Sequence, residues 1–457
     1  MNWFKKLFSK IFGSKPTQEQ NNNEFVKEKI TSQKKPTSCS KPIKTSTKRL
    51  TTDVLKKFIP LKNMDEKDLD SLAIKTQVFS KKSILFIQGD ESKEVYYLLS
   101  GTVQIQPDSN NNYEISFDSP VAHLPLNSGK TMGGTATALT EVTLLVVPGE
   151  LNQLWAIKSD NEEDSYVELN DFELPAELSN HAFFESFSQA YRENKLRLPS
   201  LPNVALKLNK AMANKDIGVN EAVDIIHMDS AIVTKLIQVS NSPAYAPVNP
   251  ITNCHDAVLR LGLEATRNLV MSISLKQLFK CEDKQLMQSM ESLWKKSLYL
   301  SSLSFVLASE TNVVNPDDAL LAGLVADIGT IPLLHFAEEN PSDHPDFKDI
   351  ESAMPYLRAP VGSLVLHTLG FSKELSAIPH HSEDWFYDKG DKLTLTDIVI
   401  LAKLHSYIST KKTEGLPYIN SIPAYSKLKK GSLDANFSLM ILQKAQSRVN
   451  STMRILS

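Results

Sequence analysis

The spacing of apolar residues changes once along this chain, and the change divides it into two kinds of fold. Between about 75 and 150, apolar residues recur at every second position. In "VYYLLSGTVQIQ", Val95, Tyr97 and Leu99 alternate with their neighbours, Ser100-Gly101 interrupts, and Val103 and Ile105 alternate again. A period of two on both sides of a Gly turn predicts a hairpin. "ATALTEVTLLVV" is β-branched and reads as a strand, while Gly89-Asp90 and "DSNNN" read as turns. Helical pattern precedes the strands at Val54, Leu55 and Phe58 and at Leu69, Leu72 and Ala73. Short strands between turns, with helices outside, predict a small β-roll.

From about 200 onward the period is 3.6. Val204, Leu208, Ala211 and Met212 form one stripe, Ala222, Ile225 and Ile226 another, and Ile232, Leu236 and Val239 a third. Met287, Met290, Trp294, Leu298, Ser301 and Phe305 share a face whose alternation of bulky and small residues suits close helix packing. This pattern predicts an all-α bundle. The expected class is therefore multidomain α+β, a β-roll followed by a helical domain. A length of 457 residues accommodates two or three such domains. The expected boundaries are an amphipathic helix at 1–13, a disordered basic tether at 14–49, the β-roll at 50–155, an acidic linker at 156–180, and the helical domain at 181–457, its core about 190–390.

Charge supports that division. Residues 1–50 hold 12 Lys/Arg and 3 Glu, hence +9; the whole chain carries −3, so the remainder carries −12. A basic tail on an acidic body predicts a separate partner for the tail. On a helical wheel of "MNWFKKLFSKIFG", Trp3, Phe4, Leu7, Phe8, Ile11 and Phe12 fill one half, and Lys5, Lys6 and Lys10 lie in the other. The stretch is too short to span a bilayer, but an aromatic face opposite a cationic one suits an anionic membrane surface; docking on protein is the competing reading.

Three widely spaced cysteines, Cys39, Cys254 and Cys281, form no CxxC, which argues against a disulfide framework or zinc knuckle and fits a reducing cytoplasm. Lysines interrupt the first apolar stretch, so no secretory leader is expected. The longest apolar run, Ala319–Phe336, contains Asp327 and Pro332 and reads as core. There is no GxSxG and no HExxH, and "LNSGKT" lacks the earlier Gly of a P-loop. No dense basic patch lies in the folded part, so no nucleic-acid partner is expected.

The stretch "FSKKSILFIQGDESKEVYYLLSGTVQIQ", 79–106, resembles the cyclic nucleotide-binding domain family over roughly 55–150. The resemblance implies a β-roll holding a cyclic phosphate through an Arg and a Gly-Glu pair. The corresponding "AHLPLNSGKTMGGTATALTEVTLL" has neither; Lys130, beside Gly129, is its cation. The candidate remnant of a ligand pocket is Gly89, Asp90, Gly101, Lys130, Gly133 and Gly134, with Lys130 read as an exposed loop residue. Cyclic AMP binding is not expected, and the ligand of the β-roll is left unknown.

"LPSLPNVALKLNKAM", "DSAIVTKLIQVSNSPAYAP" and "ITNCHDAVLRLGLEATRNLVMSIS" together resemble the HDOD family, the HD-related output domain, across about 190–390. The resemblance implies a fold like that of the metal-dependent HD phosphohydrolases. It places the four metal-ligand positions at Lys296, Ala326, Asp327 and Lys403, where only Asp327 is a ligand type. An ammonium has donors but no lone pair. Two readings stay open: Lys296 and Lys403 approach Asp327 and replace a metal's charge, or both face solvent, as most lysines do. His380-His381 is read as capping or surface. No metal and no cofactor are expected.

The resulting expectation is a non-catalytic bacterial signal-transduction protein of the cytoplasm, acting on protein partners, with peripheral attachment at the inner membrane face through 1–13 as one of the two readings of that stretch. Two alternatives stay open. One is an HD-type phosphohydrolase or phosphodiesterase with a non-standard site. The other is a cyclic-nucleotide-gated effector.

Overall fold

The computed structural model describes residues 38–428, apart from 48–49, 108–111, 165–181, 194, 214–216, 243–248, 344–345 and 411–414, together with 443–444. The amphipathic helix expected at 1–13 lies outside the described residues.

The N-terminal part builds two four-stranded antiparallel sheets. One runs β1 (Lys44–Ser46), β2 (Lys75–Phe79), β8 (Val142–Pro148), β4 (Glu94–Ser100); the other runs β3 (Ile84–Phe86), β7 (Thr135–Ala138), β5 (Thr102–Gln106), β6 (Tyr113–Ser116). Their inner faces share a core of Phe79, Leu98, Val142 and Leu144 from the first sheet and Phe86, Val103, Ile105 and Ala136 from the second. The outer face of the first sheet, at Val95, Tyr97, Leu145 and Val147, is covered by α1 (Thr52–Leu55), α2 (Glu66–Ser71) and α3 (Glu150–Asp164) through Leu55, Leu69, Leu151 and Trp155.

Four expectations are corrected. The strands flanking Ser100-Gly101 do not pair with each other: β4 pairs with β8, and β5 pairs with β6 and β7. Gly101 is a corner between sheets, with φ at +92°, where a Cβ would collide with the Glu141 carbonyl oxygen. "ATALTEVTLLVV" likewise breaks at 139–141 into β7 and β8 on different sheets. The first sheet buries both faces, with Val95 and Tyr97 under the helices, and the second buries Val103 and Ile105 on the core between the sheets, so period-2 alternation continues across the corner and does not report which strands pair. Part of the expected disordered tether is ordered: β1 adds an edge to β2, and the Ser40 amide donates to the Ile84 carbonyl at 2.8 Å. The expected start of the acidic linker is helical, because α3 runs through it to Asp164.

The C-terminal part is helical: α4 (Ala182–Arg192), α5 (Asn203–Ala213), α6 (Val219–Ile226), α7 (Ser230–Ser240), α8 (Cys254–Leu261), α9 (Leu263–Leu275), α10 (Lys284–Thr311), α11 (Pro316–Val325), α12 (Thr330–Glu339), α13 (Phe347–Thr368), α14 (Lys373–His381), α15 (Leu395–Thr410) and α16 (Pro423–Ser426). Local chemistry sets several ends. Asp283 accepts from the amides of Gln285 and Leu286 and starts α10, which stops at Asn312 in the left-handed region. Asn315 caps α11 ahead of Pro316. Pro316–Glu339 is long and apolar enough to cross a membrane, but 78% of its most apolar window is buried inside the protein. It forms two core helices, not one.

Candidate functional site

The break between α11 and α12 places Asp327 at the centre of the helical part. Its carbonyl accepts the Thr330 amide at 3.1 Å as α12 begins. Gly329 packs against α13 so closely that a Cβ would collide with the Arg358 carbonyl oxygen. That contact brings the Arg358 side chain to the carboxylate, with Nε 3.3 Å from Asp327 Oδ1. From α15, the Lys403 ammonium donates to the same oxygen at 2.7 Å and to Ser382 Oγ at 3.0 Å, and lies 3.1 Å from Glu383 Oε1. Glu383 closes the ring: Oε2 accepts from Arg358 Nη2 at 2.5 Å, and Oε1 accepts from the Tyr407 hydroxyl.

This is a four-charge cluster, with two cations alternating with two carboxylates. The Lys403 side chain is 3% exposed and Asp327 16%, so the charges interact with little solvent between them. Burial pushes the Asp327 carboxyl up, yet the charges of Lys403 and Arg358 outweigh it and hold its pKa at about 2. Glu383 is held below the usual carboxylate range by the same two cations, again against burial. Burial and the neighbouring Glu383 carboxylate raise the Tyr407 hydroxyl, keeping it a donor.

The cluster is electroneutral without a metal. A divalent ion at Asp327 would meet an ammonium and a guanidinium already in contact with its ligand. Among the described residues, no three His, Cys, Asp or Glu side chains are grouped so as to hold a metal ion. The side chains around Asp327 therefore do not fit the catalytic metal that an HD site requires.

The four positions named from the sequence meet different fates. Asp327 and Lys403 touch. Ala326 is buried at the end of α11. Lys296 is a correction: it is solvent-exposed on α10 and acts on Asp327 only through its charge. Arg358 takes the place given to it. A second correction concerns His381, expected as a helix cap or at the surface. It is fully buried, its ring stacked on Tyr387 with centroids 4.1 Å apart. His405 is buried too, its Nδ1 2.7 Å from the Leu401 carbonyl oxygen, and burial lowers its pKa. Arg358, Glu383, Ser382 and Tyr407 were missed. Arg358 had a usable signal, being the one charged residue in "SAMPYLRAPVGSLVL".

In the β-roll, Gly89, Asp90, Lys130, Gly133 and Gly134 come together along one edge. The Gly89 amide donates to the Met132 carbonyl at 2.9 Å and the Met132 amide to the Asp90 carbonyl at 2.8 Å. Gly101 stands apart, at its corner beside Glu141. Lys130 is a further correction: it is not a free loop residue. Its side chain is 20% exposed, 2.8 Å from Asp391 Oδ1 and 3.1 Å from Asp388 Oδ2.

A model of the cyclic nucleotide-binding domain matches residues 76–156, and a model of the HDOD domain matches 198–382. An uncharacterized protein of Treponema pallidum (strain Nichols) is 27% identical over 139 residues, 29% of this chain and 26% of that protein, so the match spans about a quarter of that relative. Among solved structures, a proposed metal-dependent phosphohydrolase from Shewanella amazonensis SB2B is 22% identical, with a TM-score of 0.48, over 59% of this chain and 98% of that one. An HDOD domain protein of unknown function from Geobacter sulfurreducens is 19% identical, with a TM-score of 0.46, over 61% and 98%.

Proposed function

We propose that this chain, which carries a cyclic nucleotide-binding domain at 76–156 and an HDOD domain at 198–382, is a signalling protein whose HDOD part works by binding and not by catalysis. The pairing of the two domains supports the signalling role. One observation carries the non-catalytic reading: the Lys403 ammonium sits 2.7 Å from Asp327, the one metal-ligand type left at its four positions. An HD phosphohydrolase needs metal there to activate water. Here two cations neutralise the carboxylates, and the ring ties α13, α14 and α15 to the α11–α12 break. With the Lys403 and Asp327 side chains 3% and 16% exposed, the cluster is a buried brace between helices, and the output is assigned to contact of the helical part with a protein partner.

The test is direct. Purified protein titrated with Mn²⁺ by calorimetry should show no stoichiometric binding, and bis(p-nitrophenyl) phosphate should not be hydrolysed above background. Metal-dependent hydrolysis that disappears in Asp327→Ala would overturn the reading.

A second reading, a ligand-gated effector, draws on the cyclic nucleotide-binding domain match, which implies a small-molecule ligand. With Lys130 already engaged and no Arg at hand, cyclic AMP should bind weakly. Hydrogen bonds to charged groups contribute roughly 1.5–3 kcal/mol each, so about 10- to 100-fold in affinity is missing. A micromolar dissociation constant would favour this second reading.

A further inference from the structure

The edge of the β-roll that carries Lys130 is not open to solvent, because the helical part folds over it. An ammonium has three N–H donors. Lys130 Nζ lies 3.0 Å from the Gly390 carbonyl oxygen, 2.8 Å from Asp391 Oδ1 and 3.1 Å from Asp388 Oδ2. All three acceptors come from one loop between α14 and α15, so no donor is left for another anion.

The loop is anchored from behind. Asp388, 1% exposed, also lies 3.0 Å from Lys427 Nζ, which is 2.9 Å from Asp397 Oδ1; the Lys427 and Asp397 side chains are as deeply buried. Asp397 in turn accepts from the Thr394 amide at 2.7 Å, at the start of α15. Asp391, by contrast, has a side chain 95% exposed. The loop thus has a fixed inner acid and a releasable outer one.

A second contact closes the same edge. Tyr418 stacks on Tyr113 of β6 with ring centroids 3.6 Å apart, and the Tyr113 hydroxyl donates to Asn420 Oδ1 at 3.0 Å. Asn420 also packs onto Gly133, where any Cβ would collide with the Asn420 carbonyl oxygen. Residues far apart in sequence therefore converge on 130–133 and the neighbouring Tyr113.

We infer that the Lys130–Gly133 edge of the β-roll is an intramolecular docking site, occupied by the Asp388–Asp391 loop and the Tyr418–Asn420 turn of the same chain. The loop's carboxylates fill the place of an external anion, and a small anionic ligand can reach Lys130 only by displacing Asp391. This docking does not depend on the chemistry at Asp327 and stands if that reading fails.

The experiment is hydrogen exchange read by mass spectrometry on the full chain. Lys130→Glu places like charges opposite Asp388 and Asp391. Exchange at 388–391 and 418–420 should rise by about tenfold or more while β4 and β8 keep their protection. Gly133→Ala keeps every charge but pushes Asn420 away, and should raise exchange at 418–420 on its own. It serves if Lys130→Glu fails to fold. Unchanged exchange in both segments in both variants would overturn the proposal. So would equal loosening of β4 and β8, since Lys130 would then hold the β-roll together and not dock it.

Discussion

Glu383 and Asp384 are neighbours in the chain that serve two different networks. Glu383 accepts from Arg358 and Tyr407 and lies beside Lys403, in the ring around Asp327. Asp384 accepts the indole N–H of Trp155, at 2.8 and 2.7 Å to its two oxygens. Trp155 lies on α3 and packs under the first sheet with Tyr97 and Leu145. One peptide bond therefore joins the charge cluster of the helical part to the core of the β-roll. The apolar contacts agree, since Leu124 and Ala156 belong to the helical core cluster. Motion of the segment after α14 would be felt on both sides.

Removing one member of a buried ion pair leaves a charge without its partner. Lys403→Met should destabilise the protein by about 3 kcal/mol, read as a shift in urea midpoint at constant slope. Adding Asp327→Leu should recover part of the loss, because the stranded carboxylate is gone. The two substitutions should be non-additive by about 0.5–3 kcal/mol in a double-mutant cycle. Additive effects would mean that the two groups do not interact.

The Asp327 carboxyl binds its proton less tightly in the folded protein, pKa about 2, than in the unfolded chain, at the ordinary 3.8. Its contribution is therefore complete above about pH 4 and is lost as pH falls toward 2, amounting to about 2 kcal/mol. Asp327→Asn should be less stable than wild type at about pH 6, and the gap should narrow by about pH 3. A gap that stays constant or widens on acidification would contradict the charge assignment.

Restoring the HD ligand types with Lys296→His, Ala326→His and Lys403→Asp should not by itself give a good metal site. Arg358 Nε would remain 3.3 Å from Asp327. Adding Arg358→Ala should tighten Mn²⁺ binding by about tenfold or more, measured by calorimetry. Equal affinity with and without Arg358 would show that the guanidinium does not oppose the ion.

The N-terminal stretch, outside the described residues, gives a separate test. Full-length protein should float with anionic liposomes, less so at high salt because the attraction is screened. A Trp3→Glu, Phe8→Glu variant should stay in solution. Equal flotation of both, or none by wild type, would exclude 1–13 as an anchor.

Periodicity alone separated strands from helices, because burying one face of either element imposes its own repeat. Lone charges inside apolar runs also mark the cluster: Asp327 in "GLVADIGTIPLL", Lys403 in "DIVILAKLHSY" and Arg358 in "SAMPYLRAPVGSLVL". A charge there must find a partner once the helix is buried. Which partner it finds is a matter of packing. Arg358 and not Lys296 reaches Asp327 because Gly329 lets α13 come close, and spacing along the chain carries no trace of that approach. The corner at Gly101 and the engagement of Lys130 by a loop about 260 residues away were hidden for the same reason. Local sequence dictates which face an element buries; only the assembled tertiary structure decides what that face, or a charge upon it, meets.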